Sequence, residues 1–300
     1  VQFTERQVHS VPVDLSPQER RLYDEVSAFV RTEYRRAAGT LRNVLPLITL
    51  QREICSSAIA AARTIERFLV LSSDPGARRR LQELLDMALA CEASSKADFL
   101  VDLVQRLDEK VIVFTEYRAT QEYLRWRLHK AGIASLSFNG SLSASRKGWI
   151  RELFRRQAQV LVSTESGGEG LNFQFCRNVV NYDLPWNPMK IEQRIGRVHR
   201  LGQTQDVRIY NLATRDTVEE HILYLLYEKI DMFQSVLGQM DAILSRLRLK
   251  GSFEAKLTEI LVGSASQEEA QAGLEKLAAA ILEARDEVGE NDALERLLSW

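Results

Sequence analysis

Residues 160–185 read VLVSTESGGEGLNFQFCRNVVNYDLP and contain two short apolar runs rich in β-branched residues, at Val160 and Val179. Continuous runs of this kind are typical of strands that are buried on both faces of a parallel sheet. Two further runs have the same character, VIVFTE from Val111 and VRIYNLA from Val207. The four runs therefore predict four parallel strands.

Amphipathic stretches accompany these runs and repeat apolar residues at helical spacing. The residues that we expect to face inward are Leu100, Leu103, Val104 and Leu107 in one stretch, and Trp149, Ile150, Leu153 and Phe154 in another. Strands that alternate with such helices predict a doubly wound α/β domain.

Both flanks of this region have helical sequence. Residues 16–19, SPQE, supply an N-cap, a proline at the first helical position and a capping-box glutamate. We expect residues 1–95 to be helical, with a turn at SSDPG, residues 72–76. Thr217 and Glu220 form a second predicted capping box, which opens a long helical stretch. Its apolar face consists of Ile222, Leu226, Ile230, Phe233 and Leu237. The last 35 residues or so, rich in Ala and Glu, predict another helix.

The composition is that of an ordinary globular protein. Hydrophobic residues make up 45% and charged residues 27% of the 300 residues, which excludes a mostly disordered chain. The 40 basic and 41 acidic residues nearly cancel, so a nucleic acid must be bound by a local basic patch. The three cysteines are widely spaced and predict neither disulfides nor a zinc site. Without a membrane-length apolar run or a secretory signal, we expect a cytoplasmic protein.

A glycine-rich segment, SGGEGLN at residues 166–172, follows the run at Val160. Because glycine has no Cβ, such a loop lets backbone N–H groups approach a phosphate or a ribose. A plain turn at the strand exit is the alternative interpretation. The third glycine of a dinucleotide-binding fingerprint is missing, which disfavours a nicotinamide cofactor.

The most informative segment is QRIGRVHRLGQ, residues 193–203. Asn187 and Pro188 suit the N-cap and first position of a helix that would contain it. On a helical wheel the apolar stripe consists of Ile191, Ile195 and Val198. The polar stripe on the opposite side consists of Gln193, Arg197 and Arg200. Arginine offers a planar, permanently charged fork of donors, which stabilises transition-state charge in phosphoryl transfer. A solvated basic helix face is the alternative interpretation.

Five segments follow one another in a set order: KVIVFTEYRATQEYL, SFNGSLSASRKGWIRELF, VLVSTESGGEGLNF, YDLPWNP and QRIGRVHRLGQ. In this order they resemble the motifs of the second RecA-like lobe of superfamily-two helicases, and among these the Swi/Snf-type DNA translocases. The last segment matches the sixth motif of that family, whose form is close to Q-x-x-[DG]-R-x-H-R-x-G-Q. The resemblance extends over roughly residues 8–262.

The resemblance implies a RecA-like doubly wound parallel sheet flanked by N-terminal and C-terminal helical segments. It divides the chain into a helical connector after the first lobe (1–95), the second RecA-like lobe (96–215), a helical brace (216–262) and a helical tail (263–300).

Residue roles are carried over position by position. Arg197 and Arg200 resemble the arginine fingers that reach the γ-phosphate of ATP held by the first lobe, and Gln193 would lie beside them. Gly170 and Asn172 match positions that approach the nucleotide ribose. The positions that face the nucleic-acid backbone in the family are Ser163, Thr164, Gly140 and Arg118. Such contacts read phosphate and not sequence. Ordinary loop polarity is an equal alternative for the last two.

A Walker A sequence and an acidic pair for Mg2+ are both missing from the sequence. The chain also begins with Val1 instead of methionine. We therefore expect ATP with Mg2+ to be bound mainly by a first lobe outside this chain, and the chain alone to bind ATP weakly without hydrolysing it. The implied function is the C-terminal half of an ATP-dependent translocase, with double-stranded DNA and the first lobe of the same protein as partners.

Two alternatives remain open at the level of sequence. The first is a non-catalytic module of the same fold that docks nucleic acid or protein, although such a module has no physical need for Gln193, Arg197 and Arg200 on one stripe. A nicotinamide or mononucleotide enzyme of the doubly wound class explains the strands but leaves the arginines unexplained. The process served, and whether strands are separated, is not specified by these residues.

Overall fold

The computed structural model of the chain describes residues 4–36, 41–164, 172–200, 202–226, 239–247, 252–264 and 266–298. Its strands are β1 (Arg6–Val13), β2 (Val111–Thr115), β3 (Ser135–Phe138), β4 (Val160–Thr164), β5 (Asn178–Asn181) and β6 (Val207–Thr214). Its helices are α1 (Pro17–Arg36), α2 (Leu41–Ser56), α3 (Ala58–Leu71), α4 (Pro75–Leu89), α5 (Ser95–Leu107), α6 (Arg118–Lys130), α7 (Ala144–Arg156), α8 (Pro188–Ile195), α9 (Val218–Tyr224), α10 (Gln239–Arg246), α11 (Phe253–Gly263) and α12 (Gln267–Leu298).

A six-stranded sheet with the order β1-β6-β5-β2-β4-β3 forms the centre of the fold. Its strands pair in parallel throughout the described residues. The four strands predicted from the sequence are β2, β4, β5 and β6, and every residue of the first three is buried. The predicted doubly wound, RecA-like parallel sheet with flanking helices is confirmed.

The expectation that residues 1–95 are helical is wrong for Arg6–Val13, which form β1. This strand pairs with β6 along its whole length, from Arg6 opposite Val207 onward. It lies at the edge of the sheet, where a strand tolerates Pro12 because one row of its backbone groups needs no partner in the sheet. Its residues are mostly exposed or half-buried, so it lacks the apolar run by which the inner strands were recognised.

Strand β3 was also not predicted. It has only four residues, and Phe138 alone among them is buried. A short run in which polar and apolar residues mix resembles a loop. Pairing with β4 stabilises these residues as a strand, although the local sequence has no strand signal.

The capping signals at the helix starts are largely confirmed. The Ser16 hydroxyl accepts a hydrogen bond from Glu19 N at 3.2 Å, and the Glu19 carboxylate accepts one from Ser16 N at 3.0 Å. Thr217 caps α9 by accepting from Glu219 N at 3.2 Å. The predicted partner Glu220 instead accepts from Asp216 N at 2.7 Å, one residue before the cap.

The inward stripes of two helices agree with the sequence except at Trp149. Leu100, Leu103 and Val104 of α5 are buried, as are Ile150 and Phe154 of α7. Leu107 and Leu153 are half-buried. The Trp149 side chain is 61% exposed, so its assignment to the core was wrong. Its neighbour Ile150 occupies the inward position, and adjacent residues of a helix do not share a face.

Helices α1 to α4 form a helical segment with its own apolar core. Buried hydroxyl groups join this segment to α6 of the sheet domain. The Thr120 hydroxyl lies 2.7 Å from those of both Ser56 and Ser57. The segment is therefore fixed to the sheet domain by buried polar contacts as well as by apolar packing.

Lys96 is a second buried link between the same two parts. Its ammonium group donates to the carbonyl of Cys55 at 3.2 Å and to the Glu219 carboxylate at 2.9 Å, and lies 3.7 Å from Asp183 Oδ1. Burial pushes the pKa of Lys96 down, but the carboxylates of Glu219 and Asp183 outweigh it and raise the pKa above its ordinary value. The lysine therefore stays charged inside the protein.

Helix α12 packs against α10 and α11, and buries Leu274 and Ile281. Ile222 and Leu226 are buried, as the sequence predicted. The other residues of that predicted face, Ile230, Phe233 and Leu237, lie outside the described residues. Among the helices that the structure describes, none has the length and apolar character to cross a membrane.

Candidate nucleotide and nucleic-acid site

Helix α8 begins as the sequence predicted. The Asn187 side chain caps it by accepting a hydrogen bond from Met189 N at 2.9 Å, and Pro188 occupies its first turn. Ile191 and Ile195 are fully buried against the sheet. This packing leaves the opposite side of the helix for polar residues, and Gln193 is exposed there.

The helix ends at Ile195, whereas the sequence predicted that it continues through Arg200. After Gly196 the backbone tightens, since Arg197 N bonds to Arg194 O at 3.3 Å and Val198 N bonds to Ile195 O at 2.9 Å. We call residues 196–200 the arginine turn. Val198 remains fully buried, so the apolar stripe extends into the turn although the regular helix does not.

The arginine turn presents its two arginines differently. The Arg200 side chain is exposed, and its Nε donates to the carbonyl of Gly196 at 2.5 Å. Arg197 is half-buried, and its carbonyl accepts a hydrogen bond from Phe173 N at 3.0 Å. Because α8 ends at Ile195, the expectation that Gln193, Arg197 and Arg200 share one helical stripe is wrong.

Arg194 was missed by the sequence interpretation. Its buried guanidinium donates to Asn181 Oδ1 at 3.1 Å and to the carbonyl of Asp183 at 2.8 Å. It also lies over the Phe114 ring, 5.4 Å from the centroid. Its position, three residues after Ile191, was a signal that it faces the sheet. Arg194 fastens the helix that precedes the arginine turn to β5.

Asp183 is the second residue that the sequence did not single out. Its Oδ2 accepts from the Thr115 hydroxyl at 2.5 Å and from Glu116 N at 2.9 Å. It thus ties the end of β5 to the end of β2 and lies beside the ammonium of Lys96. The frame of the site is therefore a buried polar network and not apolar packing alone.

Asn172 lies next to the arginine turn. Its amide forms a local turn, in which Oδ1 accepts from Gln174 N at 2.9 Å and Nδ2 donates to Gln174 Oε1 at 2.8 Å. Phe173, the next residue, is bonded to the carbonyl of Arg197. The backbone beside Asn172 is therefore fixed to the arginine turn. Gly170, the other predicted ribose contact, lies outside the described residues.

Gln203 closes this part of the site from the other side. Its side-chain amide donates to the carbonyls of Gln174 at 3.0 Å and of Val198 at 3.3 Å. The last residue of QRIGRVHRLGQ therefore crosslinks the segment after Asn172 to the arginine turn. This contact gives a structural role to a residue for which the sequence suggested none.

The four residues predicted to contact nucleic acid lie at the ends of three neighbouring strands. Thr164 is in register with Thr115, and Ser163 with Phe138, so the carboxyl ends of β2, β3 and β4 lie side by side. Arg118 begins α6 just after β2, and Gly140 follows β3. Because these strands are parallel, their exits share one edge of the sheet.

The side chains at this edge are not equally accessible. Arg118 and Gly140 are exposed. Ser163 and Thr164 are buried, at 2% and 5% exposure, and the Ser163 hydroxyl donates to the carbonyl of Thr164 at 3.0 Å. Little of either buried side chain is open to a phosphate. Of the four predicted contacts, Arg118 and Gly140 are therefore the two that are open to solvent.

The described residues contain no group of three or more His, Cys, Asp or Glu side chains arranged to hold a metal ion. Exposed arginine suits the phosphates of a nucleotide, since it donates and never accepts hydrogen bonds. The donors at the arginine turn therefore fit a triphosphate, whereas the binding of ATP with Mg2+ by a further lobe remains a prediction.

Residues 95–202 match the helicase conserved C-terminal domain family. The chain carries a helicase C-terminal domain. It is homologous to SNF2-type ATP-dependent helicases. The chain is 46% identical over 278 residues to the uncharacterized ATP-dependent helicase YqhH of Bacillus subtilis. The aligned region covers 92% of this chain and 49% of YqhH. The chain is 34% identical over 178 residues to the RNA polymerase-associated protein RapA of Histophilus somni, covering 58% of this chain and 18% of RapA.

Solved structures agree with the helicase C-terminal fold. The C-terminal part of the Fun30 ATPase domain superposes with a TM-score of 0.54 at 19% identity, covering 74% of this chain and 89% of that one. The SWI2/SNF2 ATPase core of Sulfolobus solfataricus, solved in complex with double-stranded DNA, gives 0.54 at 22% identity, covering 79% and 47%. The chain spans about half the length of YqhH and of this ATPase core.

Proposed function

We propose that this chain is the C-terminal half of an ATP-dependent translocase on double-stranded DNA, and that it supplies arginine fingers to an ATP site on a first lobe. The observation that carries the proposal is the arginine turn. Arg200 is exposed and Arg197 half-exposed on a turn that the buried Arg194 and the Phe173 backbone hold in place. Fixed cations of this kind stabilise charge that develops on a transferring phosphoryl group.

The proposed reaction is the hydrolysis of ATP by water. In the closed state, Arg197 and Arg200 donate to the oxygens of the γ-phosphoryl group as negative charge spreads over them. We assign to Asn172 the contact with the ribose of the same nucleotide, which is supported by the bond between the neighbouring Phe173 backbone and Arg197. Mg2+ would be held by carboxylates of the first lobe and would neutralise phosphate charge there. Opening of the lobes after hydrolysis releases the products.

The edge at the ends of β2, β3 and β4 is the proposed DNA surface, with Arg118 and Gly140 exposed on it. A cation and an open backbone at this edge suit contacts to DNA phosphates. The Sulfolobus ATPase core with double-stranded DNA supports duplex DNA as the polymer. Thr164 and Asn172 are close in the sequence, and we propose that this proximity couples the DNA surface to the nucleotide surface. The three free cysteines agree with a cytoplasmic location, which we also propose.

The test uses a chimera in which this chain replaces the part of YqhH with which it aligns, here called the YqhH chimera. We expect the YqhH chimera to hydrolyse ATP faster when duplex DNA is added, and this chain alone to show no turnover. Arg197→Ala and Arg200→Ala should each lower kcat by about 10^3. Arg36→Ala, which removes an exposed arginine of α1 far from the turn, is the matched control and should leave kcat unchanged.

Two results would contradict the proposal. DNA-stimulated turnover by this chain alone would show that no second lobe is needed. Full turnover by both finger variants would show that the arginines are not needed for hydrolysis, and it would favour a non-catalytic docking module. If the YqhH chimera turns over ATP, displacement of a third strand from a triplex, compared with separation of a duplex, distinguishes translocation from unwinding. We expect triplex displacement without duplex separation.

A further inference from the structure

The edge strand β1 reaches the arginine turn through one side chain. Arg6, its first residue, donates from Nε to His199 Nδ1 at 3.2 Å and from Nη1 to Glu192 Oε1 at 3.3 Å. The side chains of Arg6 and Glu192 are only 11% and 9% exposed. One guanidinium therefore joins β1 both to α8 and to the turn that follows it.

His199 lies between the two arginines along the chain and is held from both sides. Because its Nδ1 accepts from Arg6, its proton lies on Nε2, which donates to the carbonyl of Thr4 at 2.8 Å. The ring is itself buried, with 6% exposure. Residues 4–6 thus fix both the tautomer and the orientation of the imidazole.

The other end of this contact is rigid. Arg6 is paired in register with Val207 of β6, and Glu5 accepts from Val207 N at 3.0 Å through its carbonyl. Glu5 N in turn donates to Asp206 Oδ1 at 3.0 Å. A side chain anchored at a paired strand can restrain the arginine turn, whereas one on a free terminus cannot.

The geometry points to Arg6 as a positioning residue for the arginine fingers, acting through Glu192 and His199. This inference rests on the proposed function, since it needs Arg197 and Arg200 to act on ATP. Residues that act only on the transition state affect kcat and not substrate binding. Loss of Arg6 should therefore lower kcat while KM for ATP changes little.

The experiment compares Arg6→Met with Arg215→Ala in the YqhH chimera. Arg215 follows the other end of β6 and pairs with Asp14 just after β1, so its loss removes an ion pair of the same two strands far from α8. We expect R6M to lower kcat at least about 10-fold with KM for ATP within about twofold, and R215A to change neither. Lysine at position 6 keeps the positive charge but has one nitrogen in place of the two that donate to His199 and Glu192, so R6K should have intermediate kcat.

A second background separates this inference from the proposed function. In a chimera that lacks both fingers, R197A/R200A, R6M should lower kcat by less than about twofold further, because the effect of Arg6 passes through those two arginines. Equal loss in both backgrounds, or R6M with unchanged kcat, would overturn the positioning role. Unchanged kcat in R197A/R200A itself would instead overturn the proposed function. If R6M does not fold, as judged by its urea unfolding curve, R6K is judged by the same two criteria.

Discussion

Lys96 has the most demanding environment of the single residues described above. Its ammonium is buried among Glu219, Asp183 and a carbonyl oxygen, so each charge depends on the others for the solvation that water no longer provides. Burial raises the pKa of Glu219, and the ammonium of Lys96 works against that rise. The charges are thus mutually stabilised, and removal of one leaves the rest uncompensated.

We expect Lys96→Met to lower the free energy of unfolding by about 3–5 kcal/mol, because two buried carboxylates then lose their cation. The exposed Lys276 of α12 is the matched control, and K276M should change the free energy by less than about 0.5 kcal/mol. Urea unfolding of this chain followed by circular dichroism measures both. A loss below about 1 kcal/mol for K96M would show that the ion cluster contributes little.

Some residues of the site were predictable from sequence because their chemistry is written in their type. Gln193, Arg197 and Arg200 were predicted to lie opposite the apolar stripe, and in the structure Gln193 and Arg200 are exposed and Arg197 is half-buried. Arg194 carries the same charge but is buried, and charge alone does not distinguish a guanidinium that binds a ligand from one that holds a backbone. The burial of Ser163 and Thr164 could not be predicted from the sequence either, since it depends on which strands flank β4.

At the scale of elements, the strands and helices with strong local signals agree with prediction. Inner strands are continuous apolar runs, and helix starts carry side chains that cap free N–H groups. The failures are β1, β3 and the end of α8, where the local sequence is ambiguous and the pairing or packing partner decides. Arg6–Val13 is a strand because β6 offers an open edge, which is a fact about residues some 200 positions away.

Helix α2 contains Glu53, which is 7% exposed, and burial raises its pKa to about 7. Between about pH 4.5 and 7 the folded chain keeps a proton on Glu53 that the unfolded chain has lost. The free energy of unfolding therefore falls as the pH rises, and this contribution of Glu53 is completely lost above pH 7. A difference of this size amounts to roughly 3 kcal/mol.

The free energy of unfolding should fall between pH 5 and pH 8 in the parent chain, and we expect this fall to be smaller in Glu53→Gln by roughly 3 kcal/mol. Glu66→Gln, at an exposed position on α3, is the control and should follow the parent. Urea unfolding at the two pH values provides the measurement. Parallel behaviour of E53Q and the parent chain would mean that Glu53 is ionised in the fold at neutral pH.

For the whole molecule, the parallel sheet carries both sets of predicted site residues. One set, with Arg118 and Gly140, lies at the carboxyl ends of β2 and β3, and the other is the arginine turn with Asn172. The sequence could not predict the placement of these sets on the sheet, because strand order is a property of the assembled sheet. The polar network from Lys96 through Asp183 to Arg194 lies within the frame that carries them.

The proposed role of the arginine turn is to stabilise the transition state of ATP hydrolysis on another lobe. The most direct test measures equilibrium binding of ADP with aluminium fluoride, which resembles that transition state, by the YqhH chimera and by its R197A variant. We expect R197A to weaken binding of ADP–aluminium fluoride by at least about 100-fold and to leave the affinity for ADP within about threefold. Equal affinity of the chimera and R197A for ADP–aluminium fluoride would contradict it.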